Sequence, residues 1–289
     1  MTGALWALVA AVGFALLQAS NRKANLLLDA YRTSFGLLVA VEVVLLVRSL
    51  ALGDIGLLFS APPLAVLIFG VTTLFHFVAG WTLLALSQQS IGFARTGALI
   101  SAAPIIGTLV AALALDERLT VAIAGGVLLA VLGVAMISLS GGIPGSDEWR
   151  RPWLALTVAM IWGSTPLLIR LGLERFDHPV EGLTIGLASS VVAFALLLTV
   201  TGRWRGPVPG KAIRWILFGG LCGATAVSAQ WLSFDLTTIA VAITIQQLSV
   251  LFVIALVPIM FRQAFERMNL RFFGGAVLVL MGALIVLLS

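Results

Sequence analysis

Apolar residues fall in long blocks along this chain, and the breaks between blocks carry charge, glycine or proline. Blocks of about 17–25 residues, the length that crosses a bilayer as a helix, stand at roughly 3–21, 31–51, 64–86, 90–114, 120–139, 153–172, 181–201, 212–234, 237–261 and 270–288. Such runs exceed any ordinary strand. A segment in lipid must also satisfy its backbone groups internally, so each block predicts a helix. The ten-residue alternation of a membrane barrel is absent. The pattern predicts an all-α membrane protein of ten transmembrane helices.

The longest polar break, 140–152, divides these blocks into two sets of five. It predicts a first repeat over 1–139, a linker over 140–152 and a second repeat over 153–289. The halves also share residues in register. Glu117 and Glu266, Gly125 and Gly274, Gly126 and Gly275, Gly133 and Gly282, and Ser140 and Ser289 all lie 149 residues apart. Arg22 and Arg170, and Asp29 and Asp177, lie 148 apart, one loop residue out of step. Five is an odd number of crossings, so the second copy enters the membrane from the opposite side and the repeats are inverted. Inverted repeats are a recurrent plan of secondary transporters, with the cargo site near the midplane between the halves. Duplication is also a simple way to enlarge a bundle.

Composition narrows the class further. The chain is 61% hydrophobic and 10% charged, against roughly 25% charged for a soluble domain, and its mean hydropathy is +1.13. That excludes a water-soluble globule and leaves no room for a soluble catalytic domain. Cys222 is the single cysteine, so no disulfide framework or zinc spacing exists to interpret. The net charge of +5 comes from basic residues scattered over short loops, which predicts topology signals and no nucleic-acid partner. No basic residue precedes the first apolar block, so the first helix is expected to be retained. One face collects Arg22, Lys23, Arg32, Arg150, Arg151, Arg203, Arg205, Lys211, Arg214, Arg262, Arg267 and Arg271, and the other only Arg48, Arg118, Arg170 and Arg175. By the positive-inside rule both termini would then lie outside.

Polar groups deep in the apolar blocks are the candidates for chemistry. Glu42 stands about eleven residues, or roughly 16 Å, into the second block, and His76 about as deep in the third. Arg95 sits about five residues into the fourth. A charge at the bilayer centre costs at least about 2.5–3.5 kcal/mol, so these groups must face protein or water. Glu42 and His76 are candidates for a proton-coupling pair, and Arg95 for holding an anionic group. A protonated, hydrogen-bonded carboxyl would serve structure equally well. A second cluster holds Trp81, Gln230 and Trp231, with Trp81 and Gln230 at matching repeat positions, and Gln246 and Gln247 in mid-block. Amides bond polar cargo without the cost of a buried charge, and indole faces grip aliphatic or cationic parts. Trp81 could equally anchor a span end at the interface. Gln18, Asn21 and Thr165 complete the candidates. The paired glycines predict close-packing faces, and Pro104, Pro166 and Pro258 predict bends.

Several of these stretches resemble a known repeat. Ala98 through Pro104, Leu113-Ala-Leu-Asp-Glu117-Arg-Leu-Thr120, Gly125-Gly126 and Gly133 resemble the EamA-type repeat of the drug/metabolite transporter superfamily. Trp162-Gly163 with Arg170 resembles the opening of that repeat, whereas the first half has Gly13-Phe14-Ala15 there, and Val253 replaces the proline matching Pro104. The resemblance implies two tandem five-helix repeats and a central cavity lined by the first, third, fourth, sixth, eighth and ninth helices. It thereby favours His76 and Arg95 over Glu42. It further implies a transporter of amino acids, other metabolites or drugs, with both termini in the cytoplasm, against the charge tally.

The rival class is an intramembrane enzyme acting on a lipid or small metabolite. No zinc pair, nucleophile elbow, paired membrane aspartates or phosphate loop occurs in the sequence. The expectation is therefore a non-enzyme without catalytic residues, metal or cofactor, in contact with a small-molecule substrate and membrane lipid, as a monomer or homodimer. It is expected to be a multi-pass protein of a prokaryotic inner membrane, and an exporter.

Overall fold

The structure, a computed structural model, describes residues 1–91, 93–140, 151–204, 206–261 and 270–289. Among these the chain forms helices and turns and no strand. The helices are α1 (Thr2–Asn25), α2 (Ala30–Leu52), α3 (Leu57–Ser60), α4 (Pro63–Thr73), α5 (Gly80–Ile91), α6 (Phe93–Ile100), α7 (Ala103–Ala114), α8 (Val121–Ser140), α9 (Trp153–Leu173), α10 (Pro179–Val200), α11 (Gly210–Leu236), α12 (Ile239–Gln246), α13 (Ser249–Phe261) and α14 (Leu270–Leu288). A π-helical turn, Leu74–Ala79, joins α4 to α5 without interrupting the rod.

Local chemistry sets the ends. Asp29 caps α2 by accepting from Arg32 N at 3.1 Å. Gly53 closes the same helix with a left-handed φ of 79°. Pro63 and Pro179 open α4 and α10, where a missing N–H costs nothing.

Nine helices among the described residues are long and apolar enough to cross a bilayer, and Ile239–Val253 is a shorter apolar stretch. The expected count of ten thus rests on the predicted ninth span, 237–261, which is broken at Gln247–Leu248. There Gln247 N bonds Thr244 O at 3.1 Å, Leu248 N bonds Ile245 O at 3.0 Å, and Leu251 N bonds Leu248 O at 3.0 Å. Each is a bond to the third residue back, tighter than an α-turn. The sequence expects the bend at Pro258, but α13 runs through that position. The fourth span also changes pitch, between α6 and α7. Pro104 has no N–H to offer Ile100, and Ala102 N reaches Leu99 O at 3.2 Å instead. Pro166 lies inside an uninterrupted α9.

Helix packing comes in exchanged pairs between the halves. α1 lies along α11, as α9 lies along α4 and α5; α2 lies on α11, as α10 lies on α4. α1 meets α12 and α13, as α9 meets α6 and α7. The pairs α2–α10 and α8–α14 are their own counterparts. This exchange is what a two-fold relation between the repeats requires. The predicted linker 140–152 falls mainly on 141–150, outside the described residues, as do Arg205, Arg262, Glu266 and Arg267.

The glycine pairs behave unequally. A Cβ on Gly133 would lie 2.5 Å from Gly275 O, and one on Gly126 would lie 2.9 Å from Gly282 O. α8 and α14 therefore touch backbone to backbone at two places. Gly125 has nothing within 4 Å, and Gly274 meets only the Met136 methyl at 3.3 Å. The expectation that all six pack needs this correction, because adjacent residues point about 100° apart on a helix and only one of each pair can face the seam. The seam lies within one chain, so these four glycines offer no face to a second copy.

Candidate functional site

Where α11 passes α12, three side chains form a closed polar chain. Gln230 Nε2 donates to Gln246 Oε1 at 2.9 Å, Gln246 Nε2 donates to Ser233 Oγ at 3.2 Å, and Ser233 Oγ donates to Gln230 O at 2.7 Å. Gln230 and Ser233 share a helix face because they are three residues apart. Gln247 follows at the break, with its buried Nε2 making no hydrogen bond. Trp231 is 2% exposed and meets Phe69 at 5.4 Å between ring centres.

Between the halves, Thr72, Thr73, His76 and Phe77 of the first meet Thr165, Gln230 and Trp231 of the second around a void too narrow for a water molecule. The threonine hydroxyls spend their protons on backbone: Thr72 on Ile68 O, Thr73 on Gly186 O and Thr165 on Ile161 O, each at 2.6 Å. They retain only acceptor lone pairs. His76 Nδ1 is buried without a partner. No charged side chain lines this void among the described residues. The arrangement suits a neutral, hydrogen-bonding solute with an apolar or aromatic part.

The π turn presents His76 and Phe77 there, and Trp162 of α9 holds it. The indole stacks on His76 at 5.7 Å and 26°, and its Nε1 donates to His76 O at 3.2 Å. Gly80 makes room, since a Cβ there would stand 2.6 Å from Trp162 Nε1. Gly163 similarly lets α9 meet α7, its added Cβ falling 2.7 Å from Ala103 O. Exchanging Trp162 for Phe keeps the ring and removes the donor, and should lower thermal stability by about 1 kcal/mol. Gly80→Val should cost more by displacing the indole. Unchanged melting of both purified variants would show that the turn does not depend on Trp162.

The remaining sequence candidates lie elsewhere. Glu42 is 7% exposed on α2, on the stripe with Phe35, Leu38 and Leu45, and its Oε2 has no hydrogen-bond partner. It does not bond His76, whose ring contacts are Trp162 and Phe77. The expected Glu42–His76 pair is therefore not formed. Trp81 stands edge-on to Phe77 at 5.5 Å, half-buried beside the void. Arg95 is buried at the start of α6. Gln18 is exposed on α1, apart from the buried cluster, and Asn21 accepts from Asn25 Nδ2 at 3.0 Å. Thr72, Thr73, Trp162 and Ser233 join the site without having been singled out for it in the sequence. Ser233 was accessible from its spacing to Gln230. No cluster of three metal-ligating side chains occurs among the described residues.

Comparison with known proteins bears on this geometry. A solved structure described only as the crystal structure of a protein is similar with a TM-score of 0.75 at 17% identity, covering 97% of this chain and 96% of that one. At that identity the likeness speaks for the fold alone. No curated protein matches. The family model for the EamA-like transporter family matches residues 1–139 and 151–288, once for each half. With its many apolar helices, its exchanged packing and these two matches, the chain is an integral multi-pass membrane protein that belongs to the EamA-like transporter family of the drug/metabolite transporter superfamily.

Proposed function

We propose that the protein is a secondary transporter that exports small, uncharged or weakly polar organic metabolites by alternating access between two inverted five-helix halves. The observation that carries the reading is the uncharged amide, hydroxyl and aromatic centre, built from both halves at their contact. Packing exchanged in pairs supports relative rocking of the halves about that centre. His76, Thr165, Gln230, Trp231, Gln246 and Gln247 line the cargo path. Trp81 flanks it, and Arg95 on α6 and Gln18 on α1 are the outlying candidates. Glu42, outside this cluster, is the proton-coupling candidate. The protein works as a monomer or homodimer in a prokaryotic inner membrane.

A thermal-shift screen of neutral metabolites on the purified protein tests the cargo class, because a ligand that binds only the folded state raises its melting temperature by mass action. A panel that stabilises only through charged compounds would overturn the neutral-cargo reading. Once a ligand is in hand, Glu42→Gln in proteoliposomes is expected to flatten the pH dependence of uptake. An unaltered pH profile would remove Glu42 from the coupling mechanism.

A further inference from the structure

We propose that the central site recognises its cargo through N–H and O–H donors, so that the substrate class is a neutral solute carrying a primary carboxamide or several hydroxyls beside its apolar or aromatic part. This rests on the neutral-cargo reading and narrows it. What carries it is where the polar protons around the void already go. Ser233 Oγ gives its one proton to Gln230 O at 2.7 Å, so toward Gln246 it can only accept. Gln246 therefore turns Nε2 to Ser233, at 3.2 Å, and Oε1 to Gln230. Gln230 in turn presents Nε2 there, at 2.9 Å. The serine thus orients both amides, and the oxygen left over is Gln230 Oε1, an acceptor.

The threonines add to this excess. Thr72, Thr73 and Thr165 give their protons to Ile68 O, Gly186 O and Ile161 O. Such bonding is ordinary for one threonine in an apolar helix, but here three of them, from α4 and α9, meet at one void. The lining then holds four oxygens that can only accept, those of Thr72, Thr73, Thr165 and Gln230. Against them stand two N–H groups, the second proton of Gln230 Nε2 and the indole of Trp231. His76 Nδ1, buried without a partner, takes either part according to its tautomer. An ester, ether or tertiary amide brings no donor and would leave these oxygens unpaired once it displaced water from the opened site, at about tenfold in affinity for each. An ammonium donates as well, yet among the described residues no carboxylate lines the void to offset its desolvation.

Two matched pairs of probes isolate the donors. Phenylacetamide and its N,N-dimethyl derivative share ring, chain and carbonyl, and 1-phenyl-1,2-ethanediol and its dimethyl ether share ring, chain and both oxygens. Affinities are read from the rise in melting temperature of the purified protein with probe concentration. Each donor-bearing probe is expected to bind at least about tenfold more tightly than its methylated partner. Thr165→Val, close in shape but without the oxygen, should bring that ratio near one, and Thr165→Ser should keep it. Thr72→Val and Thr72→Ser repeat the comparison should the first pair melt too early to titrate. The ratio is the decisive readout, because a variant that merely loosens the site weakens both members of a pair. Equal or tighter binding of the methylated probes would overturn the inference and leave a neutral-cargo site standing. A preference that survives both valine variants would also overturn it, since the bulk of the added methyls, and no threonine oxygen, would then set the ratio. If none of the four probes stabilises the protein, the inference fails; it fails alone where other neutral compounds of the screen bind, and together with the neutral-cargo reading where only charged ones do.

Discussion

A Gly133→Val chain is expected to lose its folded state in detergent, while a Gly125→Val chain keeps it. At Gly133 the added side chain would enter the gap where α8 meets α14, with Gly275 O at 2.5 Å and Val279 N and Cγ2 at 2.7 Å. Two of those three atoms belong to backbone or are fixed by it, so relief requires the helices to separate. Overpacking a tight core costs about 1–3 kcal/mol and sometimes more, and separation here would also disturb the matching contact of Gly126 with Gly282. Gly125 has open space and an ordinary helical backbone, so a side chain there removes only glycine's conformational freedom. Size-exclusion profiles after graded heating compare the two chains directly. Equal survival of both would contradict the seam.

Replacing Gln246 by Leu is expected to abolish ligand-induced stabilisation while leaving a folded protein. The substitution keeps a branched side chain of similar bulk, one bond shorter, but removes the acceptor for Gln230 Nε2 and the donor to Ser233 Oγ. Two groups at the contact between halves then lose their partners, at about 1–3 kcal/mol for each that finds none. Gln230 becomes free to swing out of the geometry in which it would meet the proposed cargo. Gln246→Glu sharpens the test by putting a charge into an uncharged site. It should weaken binding of a neutral ligand at least as much as Leu does, and strengthen that of a cation. Ligand affinity unaffected by either variant would place the cargo site elsewhere.

The spans, the repeat and the family resemblance are legible in the chain because each depends on local composition or on spacing. Pro104 similarly announces the change of pitch between α6 and α7. Other features depend on partners that the local sequence does not name. The π turn carries neither proline nor glycine in Leu74-Phe75-His76-Phe77-Val78-Ala79, and the group that holds it, Trp162, comes from the other half. The break at Gln247–Leu248 likewise has no proline of its own. Gly125 and Gly126 are indistinguishable as a pair of letters, and only the position of α14 separates them. Depth along a span marks Glu42 and His76 as equals, yet depth fixes neither which way a helix face turns nor which neighbour it meets. The site residues added by the structure, Thr72, Thr73, Trp162 and Ser233, are all short or neutral enough to pass as ordinary interior residues until their bonds are traced.

The π turn sets the third span apart from its repeat counterpart, since α11 is α-helical from Gly210 to Leu236. A π turn holds one residue more than the α-turn it replaces, so its conversion would shift the following rod by about 1.5 Å and rotate it by about 100°. Only one of the two equivalent rods has that slack. In a rocking machine with identical halves, the excursions toward each side of the membrane would meet equal barriers. In the proposed rocking cycle the two excursions therefore meet unequal barriers, and with equal cargo on both sides the two half-cycles are expected to run at different speeds.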